Sequence, residues 1–218
     1  MIIAIDGPAG SGKSTLGRMM ARALNLLYID TGSMYRAVAL AVIEAALDPE
    51  DKEIVTELAQ RLNIDLEGDP DSLRVSLEER DVTERIREED VTAMSSIVSS
   101  IPGVRRAMVA RQRELARRGA VLNGRDIGTV VFPEADIKFF LTAAAEERAQ
   151  RRFMEDQLTN SNVNFEQTLA EMIERDRRDS TRADSPLKVA DDAIVVDSSG
   201  LSIQQVFDCM MDHVHRHH

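Results

Sequence analysis

The chain has 218 residues, 43% of them hydrophobic and 30% charged, enough to bury a core in one or two domains. Its formal net charge of −11 and pI of about 4.9 argue against a nucleic-acid polymer as partner. One cysteine rules out an internal disulfide or a cysteine zinc site, no apolar run reaches the ~18 residues of a membrane span, and the N-terminus lacks a signal-peptide layout, so a cytoplasmic protein with no membrane partner is expected.

Residues 2–6 form a short apolar run, expected as a buried strand, and lead into a glycine-rich loop over Gly7–Gly12. A helix is expected over 14–24, with Leu16, Met19, Met20, Ala23 and Leu24 as its apolar stripe, then a second strand over 26–29. Helices follow at 33–46 and 50–62. Between 63 and 87 the period changes: Ile64 and Leu66 alternate, as do Leu73, Val75 and Leu77, which predicts short strands around a turn at Gly68–Asp71. Helices are expected at 88–99 and 103–118, strands at 120–122 and 137–141, and a helix at 144–157. A polar loop covers 158–164, a charged helix 165–179, the last strand 193–196 and the last helix 202–213. Strands alternating with helices predict a parallel sheet covered on both faces. Cys209 falls in a helical apolar pattern and is expected as a small buried hydrophobe, and Met19, Met20, Met210 and Met211 as core. The four histidines fall within the last six residues and are expected in a frayed or tagged tail without a catalytic role.

Gly7-Pro8-Ala9-Gly10-Ser11-Gly12-Lys13-Ser14 fits G-x-x-x-x-G-K-[ST] between a strand and a helix. Glycines let the main chain turn its N–H groups inward around a phosphate, and the helix start adds the positive end of its dipole. In this pattern Lys13 reaches the β- and γ-phosphates and the Ser14 hydroxyl holds Mg²⁺, so ATP and Mg²⁺ are the expected cofactors, with Thr15 beside them. A P-loop alone leaves a GTPase switch, a mechanical ATPase and a small-molecule kinase open. The guanine-reading Asn-Lys-x-Asp stretch is missing, and Asp65-Leu66-Glu67-Gly68 lies far from a switch position.

Of 27 basic residues only Lys13, Lys52, Lys138 and Lys188 are lysines; the rest are arginines, concentrated at 105–125 and 148–182. Arginine grips phosphate with two parallel hydrogen bonds, and phosphoryl transfer between anions needs such fixed positive charge. Arg106, Arg113, Arg117, Arg118 and Arg177 read as solvated helix faces. Gly124-Arg125-Asp126-Ile127-Gly128-Thr129 and Asp30-Thr31-Gly32-Ser33-Met34-Tyr35-Arg36 each follow a buried strand, at the sheet edge where open α/β folds bind ligands.

With these pieces the chain resembles the bacterial cytidylate (CMP) kinases from end to end. The resemblance rests on I-D-G-P-A-G-S-G-K-S-T at 5–15, Y-I-D-T-G-S-M-Y-R at 28–36, D-V-T-E-R-I-R at 81–87, G-R-D-I-G-T-V-V-F-P at 124–133, E-E-R-A-Q-R-R at 146–152 and E-R-D-R-R-D-S-T-R at 174–182. It implies an α/β P-loop kinase with a five-stranded parallel core sheet at 1–29, 119–149 and 183–218. A nucleotide-monophosphate domain would span 30–118, with a β insert near 63–87, and a lid 150–182. Thr31, Ser96, Arg105 and Asp126 are implied as contacts to cytosine, Arg36 and Arg125 as grips on the CMP phosphate, and Asp179 with Arg175 and Arg182 as the ribose contact. Arg151, Arg152 and Arg182 are implied as phosphate-covering lid residues, and Lys13, Arg125 and Arg182 as the catalytic charges. CMP and dCMP are the implied substrates and a monomer the implied state. Two departures stand out: Asn123 replaces the family's usual acidic residue, which leaves Asp6 or Asp126 to share the metal, and Glu78-Glu79-Arg80 replaces a turn that usually contains glycine.

Overall fold

The computed structural model describes residues 1–157 and 163–217. The chain begins β1 (Ile2–Asp6), α1 (Lys13–Leu24), β2 (Leu27–Asp30), α2 (Thr31–Glu44), α3 (Lys52–Arg61), β3 (Ile64–Glu67), β4 (Arg74–Leu77), β5 (Arg80–Asp81), α4 (Glu89–Val98) and α5 (Pro102–Leu115). It continues with β6 (Ala120–Gly124), β7 (Ile137–Thr142), α6 (Ala145–Gln157), α7 (Phe165–Thr181), β8 (Ile194–Asp197) and α8 (Ile203–His217). The five-stranded parallel sheet expected from the apolar runs is present, in the order β2-β6-β1-β7-β8. Most of the loop expected at 158–164 (its residues 158–162), His218 and the side chain of His217 lie outside the described residues. No helix among the described residues is long and apolar enough to cross a membrane.

Main-chain contacts divide the chain into two compact units, Met1–Met20 with Val121–His218, and Ala21–Ala120. In the first, β1 is apolar on both faces because neither faces water: Ile3, Ala4 and Ile5 are all fully buried. It runs parallel to β7, with Ile3 beside Ile137 and Asp6 beside Phe140, and β7 pairs in turn with β8, Leu141 beside Val196. Helix α8 covers this sheet with Val206, Met210 and Val214, four residues apart on one face. Cys209 lies off that stripe and is exposed, which overturns its expected burial. Met20 and Met210 are core, while Met19 and Met211 are half-buried. The expected frayed tail is instead helix through His217, and the His213 ring stands edge-on to Phe139 with centroids 6.4 Å apart.

In the second unit α2 is buried without a break from Ala37 to Val42. Asp30 caps it, its Oδ1 accepting from Gly32 N at 3.1 Å. Strands β3, β4 and β5 form an antiparallel sheet in that order, with Ile64 beside Leu77 and Leu66 beside Val75 on its buried face. Arg111 of α5 fastens β3, donating from Nε to the Ile64 carbonyl at 3.1 Å and also pairing with Asp65. Leu77 pairs with Arg80 across a two-residue turn, and both turn residues, Glu78 and Glu79, have positive φ, 49° and 65°. This is the pattern of a hairpin turn that ordinarily takes Asn-Gly. Glu78 is retained by its own bond, Oε1 accepting from Asn63 N at 2.8 Å, whereas Glu79 is simply exposed.

Glu79→Gly therefore relieves left-handed strain without removing a contact. It should raise unfolding stability by about 0.5–1 kcal/mol in urea titrations with an unchanged slope. An unchanged or lowered midpoint would show that the turn stores no strain.

Candidate active site

In the first unit the loops at the carboxyl ends of β1 and β6 carry Lys13, Arg125 and Asp126 of the residues predicted from sequence, and α6 starts beyond β7. The loop after β1 starts at Gly7, whose φ is +147°; a Cβ there would lie 2.0 Å from the Leu141 carbonyl oxygen, so only glycine fits so close to β7. The loop runs into α1 at Lys13. The Lys13 ammonium donates to the Pro8 carbonyl at 2.5 Å and to Ser11 Oγ at 3.4 Å, and Ser11 Oγ itself donates to the Pro8 carbonyl at 3.0 Å. Lys13 is buried, and burial, then the neighbouring charges of Arg125 and Arg175, hold its pKa well below the ordinary 10.5; Asp6 and Asp179 act the other way.

Those arginines belong to a second layer. Arg125, just past β6, donates from Nε to Asp179 Oδ2 on α7 at 2.8 Å. Burial pushes the Asp179 carboxyl up, but Arg125, Arg175 and Arg182 together hold it below its ordinary value. Arg182 lies 3.6 Å from Asp126, which is 5% exposed, and donates to the Ser185 carbonyl at 2.6 Å. Lys13, Arg125, Asp126, Arg175, Asp179 and Arg182, separate in the sequence, thus form one cluster of like charges stitched by carboxylates.

Asp6 supports the cluster from below. Its two carboxylate oxygens accept from the main-chain N–H groups of Ile127 and Gly128 at 2.8 and 2.7 Å, at the start of a π-helical turn over Ile127–Val131. That bond fixes the segment carrying Arg125 and Asp126. Burial raises the Asp6 carboxyl to about 6, with Asp126 adding to the rise and the two amides and Lys13 opposing it. The role visible for Asp6 is to hold this turn. Ser14 Oγ accepts from Asn123 Nδ2 at 3.0 Å.

The second unit holds its own polar set. Arg36 donates to Asp30 Oδ2 at 3.3 Å and to Ser33 Oγ at 2.7 Å, and Ser33 donates to Asp30 Oδ2 at 2.8 Å, while Arg36 Nε is buried with no hydrogen-bond partner among the described residues. Arg105 is buried, donates to the Ser99 carbonyl at 3.1 Å and lies 5.5 Å above the Tyr35 ring. Thr31 is buried at the first turn of α2, and Ser96 is half-buried on α4.

Arg151 and Arg152 are engaged elsewhere on α6: Arg151 donates to Ser198 Oγ and its carbonyl at 3.0 and 2.9 Å, and Arg152 to Asp156 at 2.9 Å. Arg106, Arg113, Arg117, Arg118 and Arg177 are exposed, as their helix faces predicted. Residues that sequence alone did not mark are Asp30, Ser33 and Tyr35, which support Arg36 and Arg105, and Arg148 with Asp176, described below. Asp30 had a signal, since an Asp just before a helix is a favoured N-cap.

A sequence model described as "Cytidylate kinase" matches residues 3–216. The chain is 46% identical over 211 residues to a cytidylate kinase of Bacillus pumilus (strain SAFR-032), covering 96% of this chain and 94% of the relative. It is 50% identical over 216 residues to a cytidylate kinase of Desulforamulus reducens (strain ATCC BAA-1160 / DSM 100696 / MI-1), covering 98% and 96%. A solved structure of an uncharacterized protein from Eubacterium ventriosum ATCC 27560 superposes with a TM-score of 0.56 at 13% identity, over 99% of this chain and 98% of that one, a likeness of fold alone.

The Asp6 carboxyl, at about 6 in the folded chain against an ordinary 3.8, sets a pH dependence. A raised acid keeps its proton longer in the folded state, so the stability it contributes is full below the ordinary value and is lost as pH rises through the folded one. At ~1.36 kcal/mol per pKa unit the loss is roughly 3 kcal/mol. Carbon-13 NMR of the carboxyls should find an Asp6 midpoint near 6, with Asp6→Asn removing this part of the stability profile. An ordinary carboxylate midpoint would mean that burial does not govern this group.

Proposed function

The chain belongs to the cytidylate kinase family, and from that premise we infer that it transfers the γ-phosphate of ATP to CMP or dCMP, giving ADP and CDP or dCDP. The observation that carries this reading is the buried Lys13 at the mouth of a phosphate loop, crowded by Arg125 and Arg175. Such a concentration of positive charge is costly in the free chain and favourable once anionic phosphates share the space.

The loop residues Gly7, Pro8, Ala9, Gly10, Ser11, Gly12, Lys13, Ser14 and Thr15 cradle ATP, with Lys13 against its β- and γ-phosphates. Arg151 and Arg152 are assigned to ATP on family likeness. A magnesium ion suits the hard oxygen donors at hand, the Ser14 hydroxyl with the Asp6 or Asp126 carboxylate, and when bound it would neutralise charge on the transferring phosphates. The acceptor phosphate of CMP is already anionic, so its oxygen attacks the γ-phosphorus without a general base and ADP departs. Lys13, Arg125 and Arg182 stabilise the moving phosphoryl group.

Arg36 and Arg125 grip the CMP phosphate, and Asp179, with Arg175 and Arg182, holds the ribose. Thr31, Ser96, Arg105 and Asp126 read the base. Cytosine offers an N4 amino donor to the Asp126 carboxylate and O2 and N3 acceptors to Arg105. Uracil has a carbonyl at position 4 that a carboxylate repels. Residues 30–118 serve as the monophosphate-binding domain and 150–182 as a lid that excludes water. An enzyme fed by ATP and free CMP is assigned to the cytoplasm, and family likeness favours a monomer.

A coupled assay of ADP release across CMP, dCMP, UMP, AMP, shikimate and dephospho-CoA tests the substrate. CMP and dCMP should be the preferred acceptors, and Asp126→Asn should narrow the CMP-over-UMP ratio of kcat/KM by about tenfold or more. ADP release that no acceptor stimulates would leave a nucleotide-dependent switch, and an unaltered ratio would remove Asp126 from base reading.

A further inference from the structure

The reaction as described makes no use of Arg148, yet this arginine is only 6% exposed. Burying a guanidinium is costly unless its donors are met by well-placed acceptors. Here the acceptors come from three separate segments. Nε donates to the Ala143 carbonyl just past β7 at 2.9 Å, and Nη1 donates to the Ala9 carbonyl of the phosphate loop at 3.0 Å and to Asp176 Oδ2 on α7 at 2.6 Å. Among the described residues the other Asp176 oxygen, Oδ1, is buried without a hydrogen-bond partner, so the tie this carboxylate makes there is its bond to Arg148.

We propose that Arg148 is a positioning residue that fixes the Ala9–Gly10 peptide of the phosphate loop, with Asp176 as the anchor that keeps the guanidinium at its post. The described residues contain no cis peptide, and a trans peptide points its carbonyl and its N–H in opposite directions. Holding the Ala9 carbonyl against Arg148 turns the Gly10 N–H away from it, as a loop offering amides to a phosphate requires. Gly10 has φ +69°, so no Cβ limits this peptide's rotation and its orientation must be imposed from outside. The packing is direct: a Cβ at Gly10 would lie 2.8 Å from the Arg148 carbonyl oxygen and 2.9 Å from Met172 Cε. Arg148 therefore acts on ATP through the loop, while touching neither nucleotide.

This inference rests on reading Gly7–Ser14 as the ATP phosphate site, and the test separates the two. Calorimetry measures binding of a non-hydrolysable ATP analogue with Mg²⁺, and separately of CMP, to the unaltered chain and to Arg148→Met, Arg148→Lys and Asp176→Asn. Each is held at a temperature where circular dichroism shows it folded. Arg148→Met keeps the buried stem but loses all three donations, so the analogue should bind about tenfold more weakly, of the order of one charge-assisted hydrogen bond. Arg148→Lys and Asp176→Asn should fall between it and the unaltered chain, and CMP affinity should change far less. Lower melting temperatures with undiminished analogue binding would make Arg148 merely structural and overturn the proposal, as would equal losses for analogue and CMP. If Arg148→Met does not fold, the other two variants decide on the same criterion. Failure of the unaltered chain to bind the analogue would instead sink the reading of the loop itself.

Discussion

Like charges held together in a mostly buried cluster are the constraint around which this molecule is arranged. Lys13, Arg125 and Arg175 lie close enough that the two guanidinium groups help to depress the lysine's affinity for its proton. Asp6 and Asp179 offset part of that repulsion, and Asp179 is held ionised by Arg125, with which it pairs, and by the nearby charges of Arg175 and Arg182. A cluster of this kind is poised for a multiply charged anion: phosphate oxygens can replace carboxylates as partners, and the fixed charges need no reorganisation when charge moves during transfer.

The fold serves that constraint through short connections. A parallel sheet gathers the ends of β1, β6 and β7, so the phosphate loop, the Arg125–Asp126 segment and the start of α6 issue from one edge. Gly7 brings the loop against Leu141 where no side chain could pass, and Asp6, one residue earlier, pins the turn at Ile127–Gly128. Two consecutive residues of β1 and its exit therefore set both the glycine-rich loop and the segment that carries Arg125 and Asp126. The cost is a buried carboxylate with a raised pKa, tolerated because two main-chain amides point at it.

How much of this was legible in the sequence depends on how local each interaction is. The phosphate loop was legible because eight consecutive residues specify it. The capping of α2 by Asp30 lies within the same short motif as Arg36. The sheet and most helices followed from apolar runs and their period. Interactions between distant residues left no such trace: Asp6 reaches Ile127 across 121 positions, Arg148 reaches Ala9 across 139, and Arg125 reaches Asp179 across 54. Only the resemblance to a family connected Arg125 and Asp179, and nothing connected Arg148 to the loop. Cys209 illustrates the opposite error, since an apolar helical pattern does not say which of its members fall on the buried stripe, and Val206, Met210 and Val214 occupy it. Likewise Glu78 and Glu79 carry no turn signature, and their left-handed backbone is imposed by the pairing of Leu77 with Arg80.

Charge compensation at the phosphate loop is most directly tested by the ionisation of Lys13 itself. Nitrogen-15 NMR of the lysine-labelled chain, with the Lys13 signal identified by its loss in Lys13→Met, would follow the amine with and without a non-hydrolysable ATP analogue. The account predicts a pKa well below the ordinary 10.5 in the free chain and a clear rise when the triphosphate binds. An ordinary lysine titration that the nucleotide leaves unmoved would contradict it.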